Sequence, residues 1–135
     1  MSEEYVIPEG LYYSEEHEWA KVQEDGVVLV GVTDYAQKAL HEVVYAELPD
    51  VGANADYMGI IGALESVKAV SDMNCPVAGE VLEVNDDLLD SPELINDDPY
   101  GGGWIAKIKP SNLQGDLLNL LDADAYRKHL AEQSH

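Results

Sequence analysis

Short runs of β-branched and aromatic residues, separated by Gly, Pro, Asn and Asp, recur along most of this chain, and helical spacing is clear only near the middle and the end. That alternation restricts the chain to a mostly β fold, because each run is long enough for one strand and too short for a packed helix. Strands are predicted at Leu11 to Tyr13, Glu18 to Gln23, Val27 to Val32, Val43 to Leu48, Met58 to Ser66, Lys68 to Met73, Glu80 to Val84 and Trp104 to Ile108. Glu24-Asp25-Gly26 reads as a hairpin turn. Thr33 can cap a short helix running to about Leu40, since a threonine oxygen accepts from the first free amides. The Asp-, Asn-, Pro- and Gly-rich stretch from Asn85 to Gly103 reads as a long surface connection holding a single turn of helix. Ala123, Tyr126 and Leu130 make an apolar stripe with acids before it and Arg127 and Lys128 within it, so a helix over about 122–133 should pack on the sheet. Two similar runs, Glu42 to Leu48 and Glu80 to Val84, would suit a flattened barrel of two halves with Lys68 at the crossover.

At 135 residues the chain is expected to form one domain over 1–135 with one core. Its 27 acidic residues against 7 Lys and Arg give a net charge of −20, which excludes a nucleic-acid surface, since phosphate recognition draws on clustered cations. The acidic field either speeds encounter with basic partners or simply suits a salty cytoplasm. Cys75, the sole cysteine, cannot form an internal disulfide, which fits a reducing compartment. Met1-Ser2-Glu3-Glu4-Tyr5 lacks the basic start and apolar run of a secretory signal, and the apolar run from Met58 to Val70 is broken by Gly59, Gly62, Glu65 and Lys68. A cytoplasmic protein with no membrane contact is expected.

Several catalytic patterns fail on inspection. His41-Glu42-Val43-Val44-Tyr45 begins like a zinc-protease motif, but a tyrosine stands where the second histidine is required. His17, His129 and His135 are scattered, and Cys75 has no second cysteine at ligand spacing, so no metal site is expected. Gly101-Gly102-Gly103 lacks the Lys-Ser/Thr of a phosphate loop and reads as a flexible turn. Ser66 lacks the glycines of a nucleophile elbow. Cys75 has nothing basic nearby and reads as a small buried hydrophobe. Lys68 is left over. In Glu65-Ser66-Val67-Lys68-Ala69 the chain places one of its six lysines at a strand-to-strand corner, where a long side chain adds nothing to a core, so the amine reads as a chemical handle.

The run from Gly62 through Lys68 to Met73, followed by Pro76-Val77-Ala78-Gly79-Glu80-Val81, closely resembles the lipoyl-lysine segment of the glycine cleavage system H protein family. His17-Glu18-Trp19, Gly31-Val32-Thr33-Asp34-Tyr35-Ala36-Gln37, Glu47-Leu48-Pro49, Asn96-Asp97-Asp98-Pro99-Tyr100, Gly103-Trp104 and Lys107-Ile108 resemble further blocks of that family, in its order, from about residue 10 to about residue 130. The resemblance implies a barrel-sandwich hybrid of the lipoyl/biotinyl-carrier type, with lipoic acid joined covalently to Lys68 over a hairpin spanning about 58–75. A lipoyl-attaching enzyme would read Glu65, Ser66, Val67, Ala69 and Asp72. Acylation removes the lysine charge, and the chain becomes a group carrier without catalysis of its own.

The same resemblance implies three partner enzymes. A pyridoxal-phosphate glycine decarboxylase would load an aminomethyl group onto a lipoyl sulfur, a tetrahydrofolate-dependent aminomethyltransferase would remove it, and the FAD-containing dihydrolipoamide dehydrogenase would restore the disulfide. A carbon held between sulfur and nitrogen loses its sulfur when the nitrogen lone pair is free, so the amine must be kept protonated. Glu18 and Asp72 align with family positions that shelter the arm, and a carboxylate raises the pKa of a neighbouring amine. The alternative assigns Glu18 to a solvated strand and Asp72 to the attaching enzyme or the turn. Glu16 and Asn74-Cys75 depart from the common family pattern, a change that bears on arm docking. A lipoyl relay protein serving 2-oxoacid dehydrogenases or a sulfur-transfer pathway remains the alternative function. A biotinyl domain is disfavoured by Val67 and Ala69, where methionines are usual. A monomer is expected of a shuttle that visits several enzymes.

Overall fold

The structure, a computed structural model, describes residues 5–133; Met1 to Glu4, Ser134 and His135 lie outside it. In chain order it runs β1 (Tyr12–Tyr13), β2 (Glu18–Val22), β3 (Val28–Val32), α1 (Asp34–Leu40), β4 (Val43–Glu47), β5 (Asn54–Ala55), β6 (Ile60–Ser66) and β7 (Val70–Asn74). It continues with β8 (Gly79–Val84), α2 (Asp87–Asp90), α3 (Leu94–Asp97), β9 (Ala106–Pro110), α4 (Leu113–Leu118) and α5 (Ala123–Gln133). The strands form two antiparallel sheets, six-stranded in the order β1-β2-β3-β9-β8-β5 and three-stranded in the order β4-β6-β7. The fold is mostly β, as the alternation predicts, but the sheets do not close into a barrel. Lys68 does not mark a crossover between halves: β6 and β7 are neighbours in one sheet, and the lysine sits in their tight turn.

Period-two patterning explains how the larger sheet uses both faces. Val28, Val30 and Val32 of β3 turn toward the main core with Ala20, Val81, Ala106 and Ile108, while Leu29 joins a second cluster around Tyr13, Trp19, Tyr126 and Leu130. Trp19 pairs with Gly31 across β2 and β3, and a Cβ on Gly31 would lie 2.7 Å from the indole ring. The glycine makes room for the tryptophan. Helix α5 supplies the apolar stripe read from the sequence, with Ala123, Tyr126 and Leu130 all buried, and the Tyr13 and Tyr126 rings stack at 4.7 Å. Such a pair adds about 1 kcal/mol beyond its buried area.

Thr33 caps α1 as expected, accepting from the Ala36 amide at 3.2 Å. Gly26, with φ +85, turns the β2–β3 hairpin. The stretch from Asn85 to Gly103 is not a mere surface connection. It holds two short helices, α2 and α3, whose Leu88 and Ile95 are wholly buried in the main core. Gly101-Gly102-Gly103 is held rather than flexible: the Gly102 amide donates to Asp98, and the Gly102 carbonyl accepts from Asn85. The strand predicted from Trp104 begins at Ala106.

Candidate functional site

The strand pair β6–β7 projects the Lys68 turn from a rigid base. Glu65 pairs with Val70, Leu64 with Ser71 and Ala63 with Asp72, and β4 lies on the far side of β6 with Val43 opposite Ser66. Leu64 and Met73 anchor the ladder in the core. At the tip the Ser66 amide donates to the Ala69 carbonyl at 2.8 Å, and Ser66 Oγ accepts from the amides of Lys68 at 3.3 Å and Ala69 at 3.1 Å. One short side chain thus ties down the backbone of the turn. The predicted strand from Lys68 begins at Val70 instead, because residues 67–69 are used in making the corner. Lys68 is exposed, and Val67 beside it is 75 % exposed. The amine is available to an enzyme while the backbone beneath it is fixed.

Below the tip, β7, α1 and the segment leading into β2 enclose an open cleft with about 530 Å³ of empty space. Its polar lining is Glu16, His17, Glu18, Tyr35, Ser71 and Asp72, and its apolar lining includes Val32, Ala36, Leu40, Leu64 and Met73. No lysine or arginine contributes to it. Ser71 lies three residues beyond Lys68 on the same chain, at most roughly 10 Å even at the rise of a strand, so an arm on Lys68 folded back along β7 would reach the cleft.

Glu18 is 4 % exposed and fully engaged. The Ser14 hydroxyl donates to Oε1 at 2.5 Å, and the Asn74 main-chain amide donates to Oε2 at 3.1 Å. Burial pushes its carboxyl up to about 7, against the pull of those two donors, and the neighbouring charge of Glu16 adds to the rise. His17 enters the same wall with a backbone φ of +75, its Nδ1 2.8 Å from the Tyr126 hydroxyl. The Tyr126 hydroxyl lies 2.7 Å from Thr33 Oγ1, so the helix cap and α5 meet at the histidine.

Glu18 and Asp72 therefore share one cleft, as the alignment of motifs suggests, although Glu18 is buried and Asp72 exposed. Glu65 and Ser66 are half-buried in the hairpin and do not line the cleft, while Val67 and Ala69 are exposed at the tip. Cys75 is buried, its thiol pushed up to about 11 by burial, and it makes a contact of 3.0 Å with the Val77 carbonyl. It is unsuited to nucleophilic work. Among the described residues no group of three His, Cys, Asp or Glu is placed to hold a metal ion, and no helix is long and apolar enough to cross a membrane.

The profile of the glycine cleavage H-protein family matches residues 11–133. The chain belongs to that family. It is similar to the glycine cleavage system H protein of Chromobacterium violaceum, with 52 % identity over 92 % of this chain and 96 % of the relative. The glycine cleavage system H protein of Escherichia coli is 49 % identical, over 94 % of this chain and 98 % of its own length. The crystal structure of a glycine cleavage system H protein from Mycobacterium marinum superposes with a TM-score of 0.83 at 34 % identity, covering 96 % of this chain and all of that one.

Two features of this H-protein family member escape motif reading. Ser14 precedes the recognisable His17-Glu18-Trp19 block and gains its role only when the chain loops back on itself, and no local pattern announces that. His17 and His129 are far apart in sequence, yet their rings lie 5.8 Å apart beside the cleft. The apolar stripe of α5 predicts that this helix packs on the sheet, but not that it packs over the segment leading into β2.

Proposed function

We propose that this chain is the lipoyl-carrying shuttle of the glycine cleavage system, bearing lipoic acid in amide linkage on Lys68 and catalysing no step itself. It receives the aminomethyl group at the pyridoxal-phosphate glycine decarboxylase, delivers it to the tetrahydrofolate-dependent aminomethyltransferase, and is reoxidised by the FAD enzyme dihydrolipoamide dehydrogenase. The observation that carries this reading is the exposed lysine on a braced hairpin tip directly above a cleft lined by carboxylates and free of lysine and arginine. The lipoyl group supplies the two sulfurs that carry the one-carbon unit and cycle between disulfide and dithiol.

This chain's own residues do the rest. Glu65, Ser66, Val67, Ala69 and Asp72 present the lysine to the attaching enzyme, with Ser66 fixing the turn and Val67 standing clear of it. The apolar cleft lining, with Leu64 and Met73 at its base, excludes water from a docked arm. Glu18 and Asp72 provide negative charge opposite an ammonium and hold its proton. The net charge of −20 favours partner enzymes with basic docking faces. The chain works in the cytoplasm as a monomer.

Intact-mass measurement on protein from lipoate-supplied cells should show one lipoyl adduct on Lys68 and no biotin. That protein should then support exchange of labelled bicarbonate into glycine by purified decarboxylase. A protein that takes up lipoate yet supports no exchange belongs instead to a lipoyl relay, which no feature of the site favours.

A further inference from the structure

Residues Ser14 to Glu18 form a closed loop between β1 and β2. The Ser14 amide donates to the Glu18 carbonyl at 2.9 Å, the His17 amide donates to the Ser14 carbonyl at 3.1 Å, and the Glu18 amide donates to Ser14 Oγ at 3.0 Å. Ser14 is 2 % exposed, so no bulk water competes for its hydroxyl. Because Glu18 N–H already points at the oxygen of that hydroxyl, the hydroxyl proton is left to the Glu18 carboxylate, 2.5 Å away at Oε1. The serine therefore acts as acceptor to the backbone and donor to the side chain of the same residue.

We propose that Ser14 is a positioning residue for the arm cleft, its hydroxyl fixing the Glu18 carboxylate on the cleft wall and favouring its charged form against burial. The inference rests on the reading of Glu18 as counter-charge to an ammonium and names what makes that possible. A carboxylate removed from water beside other acids reverts to the neutral acid unless donors hold its charge. Glu16 and His17 of its own loop, Asp72 of β7, Tyr35 of α1, Tyr126 of α5 and the Cys75 thiol surround this one, and no lysine or arginine lines the cleft. The charged form is therefore favoured chiefly by hydrogen bonds from Ser14 and from the Asn74 amide, with a smaller pull from the main chain of Glu18 itself. The amide belongs to the sheet and cannot be altered by substitution. The hydroxyl can, and a charge-assisted O–H···O bond of this length is strong.

The test uses the full chain before lipoylation, labelled with carbon-13 at the glutamate carboxyl. In S14A the Glu18 signal should titrate about one pH unit above that of the unaltered protein, a tenfold gain in proton affinity. S14T, which retains the hydroxyl, should restore the original midpoint. Coincident midpoints in S14A and the unaltered protein would overturn the proposal, and so would an equal shift in S14T. The lifetime of the lipoylated protein charged with glycine by the decarboxylase then tests the reading beneath it. S14A should release ammonia several-fold faster near neutral pH. A moved midpoint with an unchanged lifetime would overturn the counter-charge reading and leave the placement of Glu18 by Ser14 standing.

Discussion

Asn74 donates its main-chain amide to Glu18 Oε2 at 3.1 Å, which joins the acidic wall of the cleft to the end of the strand that descends from Lys68. The strand that holds the lysine out thus also secures a carboxylate beneath it. On the proposed function, an arm leaving Lys68 would meet a surface already arranged for a cation, because the hydrogen bonds are made by the fold and not by the arm.

That burial makes Glu18 a source of pH-dependent stability. Its carboxyl titrates near 7 in the folded chain against an ordinary value of 4.5, so between those values the folded state binds more protons than the unfolded one. Stability from this group is therefore complete below about pH 4.5 and lost as pH rises through 7, an effect of about 3 kcal/mol. Urea unfolding at pH 5 and pH 8 should show most of this difference in the unaltered protein and lack that share of it in E18Q.

The hairpin tip depends on Ser66. S66A removes the acceptor for the Lys68 and Ala69 amides at an exposed corner, so global stability should fall by no more than about 1 kcal/mol. The initial rate of lipoylation should fall several-fold, because the attaching enzyme meets a less ordered lysine. A full rate with purified ligase and lipoate would show that the turn does not need this serine.

His41 closes α1 with φ 67 and ψ −147, a region of backbone space that suits glycine and strains a residue with a Cβ. Asn96 holds it there, its Nδ2 donating to the His41 carbonyl at 2.6 Å. H41G should raise unfolding free energy by about 1–2 kcal/mol by chemical denaturation, with lipoylation unchanged.

Gly31 should tolerate nothing larger. In G31A the new methyl meets the Trp19 ring, which is wholly buried and tied by its indole N–H to the Pro99 carbonyl at 3.0 Å. Overpacking of this kind costs about 2–3 kcal/mol. The thermal midpoint should drop by several degrees, and an unshifted midpoint would show that the indole can move aside.

Much of this was written locally. The alternation in β3, the Thr33 cap, the turn at Gly26 and the stripe Ala123, Tyr126, Leu130 each depend on neighbours close in sequence, and each forms as the residue pattern dictates. What stayed hidden depends on chain closure. Leu88 and Ile95 sit in a segment whose Asp, Asn and Gly content reads as loop, yet both side chains are wholly buried in the main core once the sheets are in place. The two-residue strand β5 is set by its pairing with β8 rather than by its own composition. At the site, the placement of Lys68 at an exposed strand corner was legible because an amine there serves no core. The Glu18 environment was not, because Asn74 reaches it from a distant strand and Ser14 only when the loop between β1 and β2 closes on itself.

On the proposed function, the amine of Lys68 is the single point through which this chain takes part in glycine cleavage. K68R keeps the charge and the turn but offers no amine to acylate. In a system reconstituted from the decarboxylase, the aminomethyltransferase and the dehydrogenase, release of carbon dioxide from glycine should fall to the level seen without this protein. Glycine cleavage at the unaltered rate with K68R would contradict the account.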